Sequence, residues 1–236
     1  MSRNTLSFIQ EIPPEYLRGA GIPRRNAILN GTISDILAVQ GEFTLAEHHG
    51  TENVRVSKAL VQSFRGSEAD PDYGDRQRGL AIAYERMGFI KWCQGRYDEA
   101  INSYELAEKI NDALRPDQNN NYRKTKAYTY LGLGDAHRDF GSAEIARRYY
   151  GLFKEISDDL APRAPKDTNL ARNNITALHR LADLEIRFGN AKEARILLQA
   201  CLSKPAIPDL WFPRNSVPSD PQGECKRMLV ELDRND

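Results

Sequence analysis

Residues 130–153 read YLGLGDAHRDFGSAEIARRYYGLF. In this stretch the small residue Gly134 follows apolar residues. Seven positions later comes Gly141, where a helix can end, because glycine adopts the left-handed backbone conformation without penalty. Beyond that glycine, Ala146 and Tyr150 are four residues apart, so they lie on one face of a second helix. The stretch therefore predicts a helical hairpin in which a small residue lets the second helix approach the first.

The same order of residues occurs in two further segments, residues 83–110 and residues 177–204. Gly88 and Ala182 take the place of Gly134 in them, at spacings of 46 and then 48 residues. A repeat with a near-constant period predicts stacked copies of one unit that cannot bury its apolar face alone. The turn glycines are Gly95, Gly141 and Gly189, and the second-helix stripes are Ala100, Tyr104 and Ala107, then Ala146, Tyr150 and Phe153, then Ala194, Leu198 and Cys201.

With this pattern, residues 80–203 resemble the tetratricopeptide repeat family. The shared features are a large residue, Leu-Gly, a turn glycine, and alternating aromatic residues and alanines. The resemblance implies an all-α fold, a right-handed superhelical stack of antiparallel helix pairs. The standard repeat has a period of about 34 residues, so the helices or connections here must be longer, as in long-period arrays of bacterial signalling proteins. Such a stack has a concave face, lined by the first helix of each pair, that holds a segment of another protein.

The repeat pattern also divides the rest of the chain. Gly50 is expected to bend or split the second helix of a degenerate first repeat, and Ser142 and Asn190 are expected to cap second helices. A final helix starting at Asp220 and Pro221 covers the last repeat through Cys225, Met228, Leu229 and Leu232. The regions are an N-terminal extension at 1–24, a degenerate repeat at 25–70, three repeats at 71–203, and a proline-rich connection with the capping helix at 204–236.

Charge and cysteine content argue against several classes of protein. Lys plus Arg and Asp plus Glu are both 33, so no net field draws the chain onto nucleic acid or an acidic membrane. Cys93, Cys201 and Cys225 have no C-x-x-C spacing and no nearby histidine pair, so neither a disulfide nor a zinc site is expected. Because no segment has the apolar length of a signal peptide or a membrane span, a cytoplasmic location is expected.

The sequence contains no catalytic or cofactor-binding motif. His48 and His49 are adjacent, but neighbouring helical residues point about 100° apart and cannot ligate one ion from one face. The Gly-x-Gly at residues 132–134 has no preceding strand, so it does not read as a nucleotide-binding loop. We therefore expect a non-enzymatic protein with no catalytic residues, no metal and no cofactor.

Candidate partner-binding residues lie on the predicted first helices, where tryptophan and arginine are favoured anchors. Burial of Trp92 between repeats is the open alternative. Some members of the family clamp two carboxylates with Lys, Asn and Arg, whereas this chain has Glu85, Phe89 and Asp135 at those places, so a mixed apolar and charged ligand is expected. The candidates are Glu85, Phe89 and Trp92 in the first repeat, Tyr128, Asp135 and Arg138 in the second, and His179 in the third.

Taken together, these features favour a protein-protein interaction module with a regulatory or adaptor role. It would bind a peptide or helix of a partner protein and exist as a monomer or homodimer. The alternative is a homo-oligomeric structural scaffold. Neither nucleic acid nor a membrane is an expected partner.

Overall fold

The structure, a computed structural model, describes residues 22–68, 70–114, 119–164, 167–205 and 220–234. This part of the chain contains helices and no strand, which confirms the all-α prediction. The helices are α1 (Ile22–Val39), α2 (Phe43–Gln62), α3 (Pro71–Cys93), α4 (Tyr97–Ala113), α5 (Asn120–Asp139), α6 (Ala143–Arg163), α7 (Thr168–Arg187), α8 (Ala191–Leu202) and α9 (Pro221–Arg234).

Each helix from α1 to α8 packs against the helix that follows it in the chain. Contacts also join α1 to α3 and α3 to α5, which are the first helices of neighbouring pairs. The last helix, α9, packs against both α7 and α8. The second-helix stripes predicted from the repeat, from Ala100 to Cys201, are buried at all nine positions, so this part of the prediction is confirmed.

A left-handed glycine ends the turn between the two helices of each pair. The φ angles are 80° at Gly41, 72° at Gly95, 93° at Gly141 and 77° at Gly189, a region that residues with a Cβ rarely adopt. Gly95, Gly141 and Gly189 were expected to end the first helices, and the structure confirms it. A short, fixed turn holds the two helices of a pair antiparallel.

Two of the expected helix N-caps do not form. Ser142 and Asn190 stand at the expected N-cap positions, but neither side chain caps its helix. The Asn190 amide instead donates a 2.6 Å hydrogen bond to the Glu185 carboxylate, because the turn directs it back onto α7. The side chains that do accept a backbone N–H at a helix start are Asp70, Asn119, Asp167 and Asp220.

Tyr104 of α4 is held between two glycines. A Cβ atom on Gly88 of α3 would lie 2.9 Å from the Tyr104 ring, and a Cβ on Gly132 of α5 would also collide with it. The ring therefore fills a space that only glycine leaves open, against the first helix of its own pair and that of the next. Tyr150 of α6 packs against Gly134 in the same way.

Replacing Gly134 with alanine is expected to lower the free energy of unfolding by about 1–3 kcal/mol, because the added methyl group meets the fully buried Tyr150 ring. Alanine would otherwise favour the helix by about 1 kcal/mol. Gly151→Ala is the matched control, since a Cβ there meets nothing within 4 Å. Urea denaturation should show opposite signs for the two variants, and equal stabilisation of both would contradict this packing.

The degenerate first repeat differs from expectation at Gly50. The helix α2 runs without a break from Phe43 to Gln62, so the predicted split at this glycine is wrong. Gly50 is buried, and a Cβ there would lie 2.7 Å from Cδ1 of Ile90. The glycine serves close packing of α2 on α3 and does not end the helix.

Cys201 of α8 and Cys225 of α9 form a disulfide, with their Cα atoms 6.5 Å apart. The expectation of no disulfide is therefore wrong. Sequence spacing could not reveal the pair, because it arises only when α9 folds back onto α8. Both cysteines are buried among Leu178, Leu198 and Met228, and the predicted inward stripe of α9 is confirmed by these contacts.

None of the helices in the described ranges combines the length and apolar character that a membrane crossing requires. Most of the predicted N-terminal extension, and Pro208, Pro213 and Pro218 of the predicted connection, lie outside the described residues.

Candidate partner-binding surface

Charged side chains join the C-terminal halves of α5 and α7. Nε of Arg180 lies 2.9 Å from Oδ1 of Asp135, and the guanidinium of Arg138 lies 3.3 Å from Oδ2 of Asp183. A longer pair of 3.8 Å joins the guanidinium of Arg187 to Asp139. We call this set the charge network: Asp135, Arg138, Asp139, Arg180, Asp183 and Arg187.

Helical spacing places these residues together. Asp135, Arg138 and Asp139 are separated by three and four positions on α5, so they share one face. Arg180, Asp183 and Arg187 share a face of α7 by the same rule. Because Asp135 and Asp183 occupy equivalent places in their repeats, stacking of the two hairpins brings the two faces into contact.

The charge network passes from the interior to the surface. Asp135 is 2% exposed and accepts a 2.7 Å hydrogen bond from the Tyr150 hydroxyl. At the outer end, the Arg187 side chain is 51% exposed while it pairs with Asp183 at 3.1 Å. Arg187 is therefore the exposed end of the network, held in place by two carboxylates.

Hydrogen bonds and neighbouring charges hold Asp139 and Arg138 in their charged forms. Burial alone would raise the pKa of Asp139, but hydrogen bonds from Arg138 and Trp92 outweigh it and keep that pKa below its usual value. Burial likewise acts to lower the pKa of Arg138, while the carboxylates of Asp139 and Asp135 raise it overall. The buried charges therefore remain paired at neutral pH.

Trp92 is attached to the same network. Its indole Nε1 donates a 2.9 Å hydrogen bond to Oδ2 of Asp139. The ring is partly buried, stacks on Phe89 with the two ring centroids 6.1 Å apart, and touches two core clusters. This placement favours the alternative that Trp92 packs between repeats and does not stand free in a groove.

The other predicted site residues lie mostly within the fold. Glu85 is buried and accepts a 2.5 Å hydrogen bond from the Thr129 hydroxyl, whereas Tyr128 is partly exposed. His179 is buried, and burial together with the neighbouring Arg180 lowers its pKa to about 4, so its imidazole is neutral at neutral pH. Of the seven candidates, Asp135 and Arg138 belong to the charge network, and Trp92 is hydrogen-bonded to it. A binding role for the seven stays a prediction, and the buried ones would have to be uncovered to touch a partner.

Two exposed phenylalanines beside the network were not among the sequence candidates. Phe140 is 57% exposed and Phe188 is 48% exposed, and they directly follow Asp139 and Arg187, the residues joined by the 3.8 Å pair. We call Phe140, Arg187 and Phe188 the aromatic corner. In the sequence, the aromatic corner is marked by a large apolar residue immediately before the turn glycine. A polar residue is more usual at this position, because the end of the helix is in contact with solvent.

The equivalent corner of the preceding pair is built differently. Gln94 stands where Phe140 and Phe188 stand, and its side chain donates a 3.2 Å hydrogen bond to Glu47. Buried Lys91 also pairs with Glu47, and Arg96 lies 3.1 Å from the same carboxylate. The hydrogen bond from Lys91 is the main cause that lowers the pKa of Glu47. This corner is closed by ion pairs and offers no apolar anchor.

Within the described part of the chain, no group of three or more His, Cys, Asp or Glu side chains is arranged to hold a metal ion. A comparison with protein-family models gives no match for this chain, and a comparison with curated proteins gives none either.

Proposed function

We propose that the chain is a tetratricopeptide-like array, a right-handed superhelical stack of helix pairs. The packing of successive helices in chain order supports this arrangement, as do the contacts between first helices of neighbouring pairs. The repeated fit of Tyr104 against Gly88 and of Tyr150 against Gly134 supports a common hairpin geometry. A stack of this kind presents a continuous surface along its first helices and turns.

We further propose that the array is a non-enzymatic interaction module that binds a segment of a partner protein, in an adaptor or regulatory role. The aromatic corner is the observation that carries this proposal. Phe140 and Phe188 expose about half of their surface, and each directly follows one member of the ion pair between Asp139 and Arg187, an arginine that two carboxylates hold in place. Aromatic residues and arginine are the usual anchors of protein interfaces, and a side chain that is already ordered loses less freedom on binding.

The corner also suggests the chemistry of the partner. Two phenyl rings select apolar side chains, and the half-exposed guanidinium of Arg187 selects an acceptor such as a carboxylate or a backbone carbonyl. The partner segment would therefore carry apolar residues flanked by an acidic or carbonyl group. A helix or an extended peptide both meet this requirement.

The double variant Phe140→Ser/Phe188→Ser tests the proposal. Affinity capture from an extract of the source organism, quantified by mass spectrometry, should lose the main partner at least about tenfold, because each buried phenyl contributes more than 1 kcal/mol at an interface. The melting temperature should stay nearly unchanged, since both rings are exposed.

The control is Leu106→Ser/Ile196→Ser, which removes two similarly exposed apolar side chains from α4 and α8. It should capture the partner as the unchanged protein does. If both double variants capture it equally well, the aromatic corner is not the interface. Light scattering tests the alternative of a homo-oligomeric scaffold: a homodimer that only the phenylalanine variant dissociates would place a second copy of this chain on the corner.

A further inference from the structure

A groove of about 520 Å³ lies between α1, α2 and the N-terminal half of α3. Gly79 lines it, and Trp92 near the charge network lies 13 residues further along the same helix, or about 20 Å away. No residue of the groove belongs to the charge network or to the aromatic corner. The groove is therefore a separate feature, and what it binds does not depend on the proposed partner interface.

Two hydrogen-bond donors at this groove have no acceptor. Asn53 is 3% exposed; its Oδ1 accepts a 3.4 Å hydrogen bond from the Ser57 hydroxyl, but its Nδ2 has no partner. Nε of Arg78 is also buried without a hydrogen bond, and the nearest carboxylate, Asp75, lies 3.6 Å away. A buried N–H group without a partner is unfavourable, so an acceptor supplied by a ligand would stabilise both.

The charges around the groove set the charge of that ligand. Four arginines and two aspartates line it, and Asp35 pairs with one of the arginines, Arg86, at 3.1 Å, so four positive charges face three negative ones. The tightest pair joins Arg76 to Asp72 at 2.8 Å, while Arg24 and Asp75 are 4.0 Å apart. A planar carboxylate with one negative charge matches guanidinium and amide donors. A phosphate dianion would meet stronger repulsion from the two aspartates.

Apolar side chains form the other side of the groove. Ala27 of α1, Leu60 of α2 and Ile82 of α3 contribute them, and Ile28 adds an exposed rim. At Gly79 a Cβ would meet nothing within 4 Å, so the groove is open along this part of α3. A purely polar ion would leave this apolar wall in contact with water.

We propose that this groove binds a small monocarboxylate that carries an apolar body. The carboxylate accepts hydrogen bonds from Nδ2 of Asn53 and Nε of Arg78. The apolar body lies against Leu60 and Ile82.

Ligand-observed saturation-transfer NMR on the full chain tests this with three probes. N-acetyl-leucine has both the charge and the apolar body, and it should receive saturation. N-acetyl-leucinamide has the same body without the charge, and inorganic phosphate, followed by ³¹P line broadening, has charge without the body; neither should bind. An equal response from the amide, binding of phosphate alone, or no response from N-acetyl-leucine would overturn the proposal. An octapeptide ending in leucine that binds more tightly than N-acetyl-leucine would overturn the small-molecule assignment.

Gly79→Leu fills the groove and should abolish binding of N-acetyl-leucine without unfolding the protein. Because leucine favours a helix over glycine, its melting temperature should rise by about 2–4 °C for a chain of this size. Gly151→Leu is the matched control: it has equally open space on α6, should show a similar melting temperature, and should keep full binding. Binding retained in Gly79→Leu would refute the site.

Arg78→Gln should weaken binding of N-acetyl-leucine at least about tenfold, because one charge-assisted hydrogen bond is lost. Arg163→Gln, which changes an exposed arginine on α6 outside the groove, should leave the dissociation constant unchanged. Equal weakening in both variants would mean that general charge and not the groove attracts the ligand, and it would overturn the proposal.

Discussion

Replacing Asp135 with alanine is expected to lower the free energy of unfolding by about 3–5 kcal/mol. Asp135 is almost completely buried, pairs with Arg180, and lies 3.6 Å from the guanidinium of Arg138. It also accepts the hydrogen bond from the Tyr150 hydroxyl. Without the carboxylate, the buried guanidinium groups and the buried hydroxyl all lose the same acceptor. Removing one partner of a buried ion pair destabilises a protein far more than replacing the whole pair by apolar residues.

Urea denaturation followed by helical circular dichroism measures this loss. Glu52→Ala is the comparison, because Glu52 pairs with Arg55 on the surface of α2, where such pairs contribute roughly 0–1 kcal/mol. Similar stability changes in the two variants would show that the charge network is not buried in solution. The aromatic corner should also lose its order in Asp135→Ala, since Arg187 and Phe188 end the helix that Asp135 anchors.

Removing the disulfide is expected to lower the free energy of unfolding by about 3 kcal/mol, measured with the double variant Cys201→Ser/Cys225→Ser. The bond closes a loop of 24 residues, and a cross-link of that span restricts the unfolded chain. Its loss also weakens the attachment of α9, which covers Leu178 and Leu198 at the end of the last pair. A reducing agent should destabilise the unchanged protein by the same amount and should leave the serine variant unaffected.

Cys93→Ser is the control for the disulfide. The Cys93 thiol is free, and burial raises its pKa to about 12, so it stays protonated and reacts slowly with alkylating agents. Mass spectrometry after alkylation should therefore find the 201–225 bond intact in Cys93→Ser. If reductant lowers the melting temperature of neither the unchanged protein nor Cys93→Ser, the expected stabilisation by the disulfide is contradicted. Disulfides are rare in the reducing cytosol. The disulfide therefore gives no support to the cytoplasmic location, which stays a prediction.

Features with a local periodic cause could be predicted from the sequence. The turn glycines, the buried stripes from Ala100 to Cys201, and the fit of Gly88 and Gly134 against tyrosines all follow from spacings of three, four and seven residues. Gly50 shows the limit of such reasoning. A glycine in a helix reads as a break, but contact with Ile90, forty residues away, gives it a packing role.

Contacts between separate hairpins could not be predicted. The pairing of Asp135 with Arg180 spans 45 residues, and nothing near either residue marks it in the sequence. Charged side chains on first helices were therefore interpreted as groove-lining, whereas ion pairs between α5 and α7 hold Asp135 and Arg138 within the fold. Phe140 and Phe188 were overlooked for a different reason: the repeat pattern was defined by the turn glycines and the buried stripes, and these residues stand just before the glycines and belong to neither.

The position of Tyr104 has a consequence for how the chain unfolds. Its ring contacts first helices of two pairs, and the core cluster that includes it extends to Leu184 on α7. Unfolding of one hairpin therefore removes side chains that the next hairpin packs against. We expect the segment from α3 to α7 to unfold in one concerted transition. A hairpin could be inserted into this segment, or deleted from it, without loss of stability only where the new junction again places a glycine against the tyrosine of the adjoining hairpin.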